Sequence, residues 1–181
     1  MTSKSEKQSN GCGCLITLIM LGLFIATILP SLLDSSHKAK QSEAKQYVGA
    51  MNRAQQAYFI EKHIFTNDFQ KLGLGIKTET KNYRYSTSAT KETVFNYGIA
   101  RPDSYSYRYI LQRTKPPLKS YVGGVILPTP PPVNQNLVDD ESGTRAILCE
   151  TNSPSTTKPP QPTYKNGVLA CGEGTRDLSK R

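Results

Sequence analysis

Hydrophobic residues are arranged in two ways along this chain: one unbroken run near the N-terminus, then periodic patterns. Residues 14–33 read Cys-Leu-Ile-Thr-Leu-Ile-Met-Leu-Gly-Leu-Phe-Ile-Ala-Thr-Ile-Leu-Pro-Ser-Leu-Leu and hold no charge. A bilayer core needs about 20 apolar residues in helical form. A secretory signal has a shorter apolar region, roughly 7–15 residues, and a small-residue cleavage site. This run is longer, and Asp34-Ser35-Ser36-His37-Lys38 follows it. It therefore predicts a retained transmembrane helix over 14–33, with a polar tail over 1–13. Pro30, near its end, predicts a kink.

From Lys38 to Lys62 the pattern stays helical but turns amphipathic. Ala44, Tyr47, Val48, Met51, Ala54 and Tyr58 recur at spacings of three and four, the period of one helix face. Lys45, Gln46, Asn52, Arg53 and Gln56 lie between them as the expected polar face. One helix is predicted from about Cys14 to Lys62.

Beyond the loop over 65–75, punctuated by Gly73 and Gly75, the period changes to two. Residues 82–88 and 93–100 are rich in Tyr, Thr, Val and Phe, the composition of strands. Tyr105, Tyr107, Tyr109 and Leu111 alternate with Ser106, Arg108, Ile110 and Gln112, predicting another strand. Residues 118–127 predict a strand that the pair Gly123-Gly124 weakens or bulges. Residues 128–143 and 151–166 are proline-rich loops, and 146–150 a short strand between them. A helix followed by strands argues an α+β fold, with the helix packed on an antiparallel sheet over 82–150. Residues 34–181 form the head.

Composition changes the picture little. The 181 residues carry a net charge of +9, but the cations are spread, with no dense block, so a solvated basic surface is expected and nucleic acid is not. Ten tyrosines and no tryptophan point to a polar, half-buried sheet. Catalysis has little support. His37 and His63 are the two histidines, and neither has metal-ligand spacing around it. Asp139-Asp140-Glu141 lacks the alternating ligands of a calcium loop. Ser153 and Ser155 make no nucleophile motif, and Gly73-Leu74-Gly75 is too short to cradle phosphate. No cofactor or metal is expected. Cys12 and Cys14 form neither a CxxC motif nor a lipoprotein signal and are read as mildly apolar edge residues.

The order of parts resembles a type IV pilin or pseudopilin. More closely, the run from Lys38 through Tyr58-Phe59 resembles the cyanobacterial type IV pilin-like proteins of the G/H family. Gly73-Leu-Gly-Ile-Lys-Thr-Glu-Thr, Lys119-Ser-Tyr-Val-Gly-Gly-Val and Ala146-Ile-Leu-Cys-Glu extend the likeness. The resemblance implies a non-enzymatic subunit, a minor pilin or pseudopilin of a type IV pilus or type II secretion system. Its partners would be membrane lipid and other pilin-like subunits. Cys149 and Cys171, the only two cysteines in the head, are expected as a disulfide around a coreless loop rather than as two free thiols. A disulfide needs an oxidising compartment, so the expected orientation is N-terminus cytoplasmic and head periplasmic. Flanking lysines on both sides of the run leave the positive-inside rule undecided.

One departure matters. The register set by Gly22 and Pro30 puts Gln8 where the family has its cleavage glycine, Ser9 in place of Phe and Gly13 in place of Glu. Prepilin processing is accordingly not expected. The departure keeps a second reading open: a stand-alone anchored binding module that re-uses the pilin fold.

Overall fold

The computed structural model describes residues 11–102, 118–128 and 143–179, without the side chains of 11–15 and 25–36. Helix α1 spans Gly11–Lys62. Seven strands follow: β1 Tyr83–Ala89, β2 Thr93–Ala100, β3 Tyr121–Ile126, β4 Arg145–Thr151, β5 Thr163–Lys165, β6 Val168–Ala170 and β7 Thr175–Asp177. The chain divides into two compact units, Met1–Lys38 and Ala39–Arg181.

The first unit is helical over its described residues. Ile16, Leu18, Ile19, Met20, Leu21, Leu23 and Phe24 are each 54–65% exposed. Among the described residues, no helix is long and apolar enough to cross a membrane. Of the expected span 14–33, side chains are described only at 16–24; the kink at Pro30, Cys12 and Cys14 lie outside them.

In the second unit, the rest of α1 packs on a five-stranded sheet ordered β1-β2-β3-β4-β7, with every neighbouring pair antiparallel. The fold is α+β. The sheet runs past the expected limit of 150, because β7 pairs with β4 through Cys149↔Asp177 and Thr151↔Thr175. The strand expected over 105–112 and most of the loop over 128–143 lie outside the described residues.

Tyrosines fill the core. Tyr83, Tyr85, Tyr97 and Tyr121 are at most 2% exposed, so these are core residues and not the half-buried surface their polarity predicts. Tyr83 and Tyr85 stack at 6.2 Å, and Tyr47 on α1 tilts against Tyr85 at 5.3 Å, geometry that aromatic pairs favour. Burial pushes the phenols of Tyr83, Tyr85 and Tyr121 up, so they stay protonated. Tyr83 donates from its hydroxyl to the Lys119 carbonyl at 3.1 Å.

The glycine pair in β3 makes no bulge. Register is continuous, with Gly123 opposite Asn96 and Leu148, and Gly124 opposite Phe95 and Ile147. Successive residues of a strand face opposite sides, so each glycine serves a different layer. A Cβ on Gly123 would overlap the Asn52 carboxamide of α1, and one on Gly124 would press on Pro162 Cγ at 3.2 Å. The pair lets both layers approach the backbone.

Candidate functional site

The structure offers two built surfaces: a seam of amides under the helix, and a disulfide-closed loop behind the sheet.

The buried stripe of α1 is Ala44, Val48, Met51, Asn52, Gln55 and Gln56, spaced as one helical face. Ala44, Val48 and Met51 are fully buried. Tyr47, Ala54 and Tyr58 are partly exposed and flank the stripe. Asn52 and Gln56, expected on the polar face, are buried instead, because the sheet supplies partners for them. Asn52 donates from Nδ2 to the Ile147 carbonyl at 2.9 Å and accepts from Asn96 Nδ2 at 3.0 Å. Gln55 donates to the Thr66 carbonyl at 2.8 Å and accepts from the Thr66 N–H at 3.1 Å. Gln56 donates to Thr144 Oγ1 at 3.1 Å. An unpaired buried amide costs several kcal/mol and a paired one is tolerated, so these bonds fix how the helix sits on the sheet.

Cys149 and Cys171 are joined by a disulfide, with their Cα atoms 5.7 Å apart. The enclosed loop lies over the face of the sheet opposite the helix, where Tyr97, Val122, Ile147 and Cys149 cluster with Leu169 and Cys171. Gln161 Nε2 donates to the Tyr97 hydroxyl at 3.1 Å, and Lys158 Nζ sits 4.2 Å over the Tyr97 ring. Ser120 pins the start of the loop: its hydroxyl accepts from the Ala100 N–H at 3.0 Å and donates to the Ser155 carbonyl at 2.6 Å. Within the loop, β5 and β6 form a hairpin around Asn166-Gly167, both at positive φ. That dipeptide is a strong hairpin signal in a sequence, and it marks the strands that hydropathy alone misses.

Spread charges meet at one point. Glu150 is mostly buried and accepts from Lys119 Nζ and from Arg176 Nε, each at 2.8 Å. Burial opposes its ionisation, but the hydrogen bonds and charges of Lys119 and Arg176 prevail and hold its carboxyl below the ordinary range. This is an ion-pair cluster that ties β7 to β4.

The remaining candidates do not converge. His37 lies in α1 of the first unit; His63 follows α1 at a φ of 55°, its N–H donating to Phe59 O at 2.8 Å. Ser155 bonds the neighbouring Thr157, and Gly73 and Gly75 are left-handed turn residues. Asp139, Asp140 and Glu141 lie outside the described residues. Among the described residues, no three His, Cys, Asp or Glu side chains cluster to hold a metal ion.

A helix on one face of an antiparallel sheet and a disulfide-closed loop on the other are consistent with a pilin-like fold. The family model for type IV pilin-like G and H matches residues 41–172, and the chain belongs to that family. No curated protein and no solved structure matches it.

Proposed function

We propose that the chain is a membrane-anchored, non-enzymatic subunit, a minor pilin or pseudopilin. In this reading the first half of α1 lies in the bilayer beside the helices of other pilin-like subunits. The N-terminus is cytoplasmic and the head periplasmic, where the Cys149–Cys171 bond is stable. The observation that carries the reading is the run from Ile16 to Phe24, whose seven large apolar side chains are each more than half exposed. Large exposed apolar surface marks a protein or membrane contact, and the uncharged sequence around it extends over 14–33. Alkaline carbonate washing of native membranes tests it. The full chain should stay with the lipid and a chain lacking residues 1–38 should be released; release of the full chain overturns the anchor.

A second reading has its own observation. Gly13 stands where the family places the acidic residue that pairs with a neighbouring subunit, which favours a stand-alone anchored binding module. Co-purification with pilus or secretion-system subunits separates the two.

A further inference from the structure

The β5–β6 hairpin turns through Asn166 and Gly167, at φ of 50° and 78°. Two residues at positive φ between the paired Lys165 and Val168 make a type I′ turn. Asn-Gly is also a reactive dipeptide, because glycine has no Cβ to keep its nitrogen from the preceding side-chain amide. Lys165, Asn166 and Gly167 are exposed, and Val168 is 59% exposed. Among the described residues, neither the Asn166 carboxamide nor the Gly167 N–H makes a hydrogen bond. Neither reacting group is held by a partner of its own.

We propose that Asn166 is a site of spontaneous deamidation, gated by opening of this turn, and that Arg145 holds the turn shut. Hydroxide takes the proton of the Gly167 N–H. The nitrogen then forms a bond to Asn166 Cγ, and the side-chain amide leaves as ammonia, closing a five-membered succinimide. Water adds to either ring carbonyl and opens it, giving aspartate or isoaspartate. The sum is one water in and one ammonia out, with no change of oxidation state.

The closed turn cannot react. The first loop residue of a type I′ turn has ψ of about +30°, which puts the Gly167 nitrogen nearly opposite the Asn166 Cβ across the Cα–C bond. Ring closure needs the two on the same side, so the turn must open first. Opening is accessible, because the hairpin has three residue pairs and a hairpin of that size is marginal by itself. One contact opposes it. Arg145 Nη1 donates to the Gly167 carbonyl at 2.6 Å, a charge-assisted bond and so stronger than a neutral one. Arg145 is itself fixed on β4 by pairing with Ile126.

The product alters the surface of the disulfide-closed loop. Isoaspartate inserts a methylene into the backbone of a two-residue turn, which then no longer fits the twist that pairs Lys165 with Val168. Either acid adds a negative charge next to Lys165. The Cys149–Cys171 bond keeps the loop tied to β4 throughout, so the change stays local to the hairpin. The inference does not depend on whether the chain is anchored or assembled.

Incubation of the full-length chain in detergent at mildly alkaline pH, followed by peptide mass mapping, tests it. Aspartate and isoaspartate should accumulate at position 166, while the buried Asn52 and Asn96 stay intact. A free peptide of residues 163–170 should react faster, on the order of tenfold or more, having no folded turn to open. Arg145→Ala should speed the reaction of the full chain about fivefold, the worth of one hydrogen bond, and Arg145→Lys less. Hydrogen exchange of the Lys165 and Val168 amides in the unaltered chain gives a second measure that needs no variant. Their protection should match the ratio of peptide to protein rates, since both report the same opening. An intact Asn166 in the full chain under conditions that modify the peptide overturns the site. Reaction at the peptide's rate, or protection that disagrees with the rate ratio, overturns the gate. An unchanged rate in a folded Arg145→Ala chain overturns the role of Arg145.

Discussion

Asn52 lies directly over Gly123, so closely that a methyl group on the glycine would overlap the Asn52 carboxamide. The relationship ties helix to sheet, because Asn52 also bonds Ile147 on β4 and Asn96 on β2. Gly123→Ala should therefore destabilise the head. Replacing glycine with alanine in a compatible backbone contributes about 0.4–1 kcal/mol of stability through the unfolded chain. Overpacking a tight interior costs about 1–3 kcal/mol, and displacing Asn52 adds lost hydrogen bonds. The steric term wins. Denaturant unfolding of a fragment starting at Ala39 should show a lower midpoint. Gly124→Ala, which meets Pro162 at 3.2 Å, should cost less. A midpoint unchanged in Gly123→Ala would mean that helix and sheet are not in close contact there.

Met51 gives the simplest check on the helix face. It is fully buried, so Met51→Asp would place an unpaired charge in the core, at a cost of several kcal/mol. Ala57, on the exposed side of the same helix, is the control: Ala57→Asp should stay within about 0.5 kcal/mol. Equal melting temperatures for the two variants would contradict the packing.

The disulfide should matter because the loop it closes has little core of its own. Constraining a loop of this length stabilises by about 3 kcal/mol in the chain-entropy view. The double variant Cys149→Ala/Cys171→Ala should unfold at lower denaturant by that amount. In the native protein, alkylation without prior reduction should leave both cysteines unmodified in peptide mass mapping. Modification of both would show that the bond is absent there.

Some of this was legible from residue order and some was not. Ala44, Val48 and Met51 announce the helix face because they are apolar at helical spacing. Asn52, Gln55 and Gln56 continue the stripe, yet an amide reads as a surface residue until its partners are known, and those partners are 95, 11 and 88 residues away. The strands β1, β2 and β3 follow from their Tyr, Val and Thr content, and β4 from the short apolar run Ala146-Ile147-Leu148-Cys149. Thr175-Arg176-Asp177 does not look like a strand; it pairs with β4 where the neighbouring Cys171 is bonded to Cys149. The meeting of Lys119, Glu150 and Arg176 was illegible for the same reason, being created by strand register and not by sequence proximity.

That cluster yields a pH prediction whose sign is fixed. The Glu150 carboxyl is held below its ordinary value of 4.5 in the folded protein. Between the folded and unfolded values the unfolded chain binds more protons, so stability rises with pH there. The contribution is fully present above about pH 5 and is lost as pH falls through the depressed folded value. Glu150→Gln removes it by leaving Lys119 and Arg176 without their carboxylate. Breaking a fully buried pair costs about 3–5 kcal/mol, but exposed pairs are worth little. The Arg176 side chain is 60% exposed and that of Lys119 is 21% exposed, so a loss of about 1–2 kcal/mol at neutral pH is expected. The gap between parent and variant should narrow below about pH 4.5 as Glu150 becomes protonated. Denaturant midpoints of both proteins from pH 3 to pH 7 would test this. A gap that stays constant across that range would mean that the charge on Glu150 does not stabilise the β4–β7 edge.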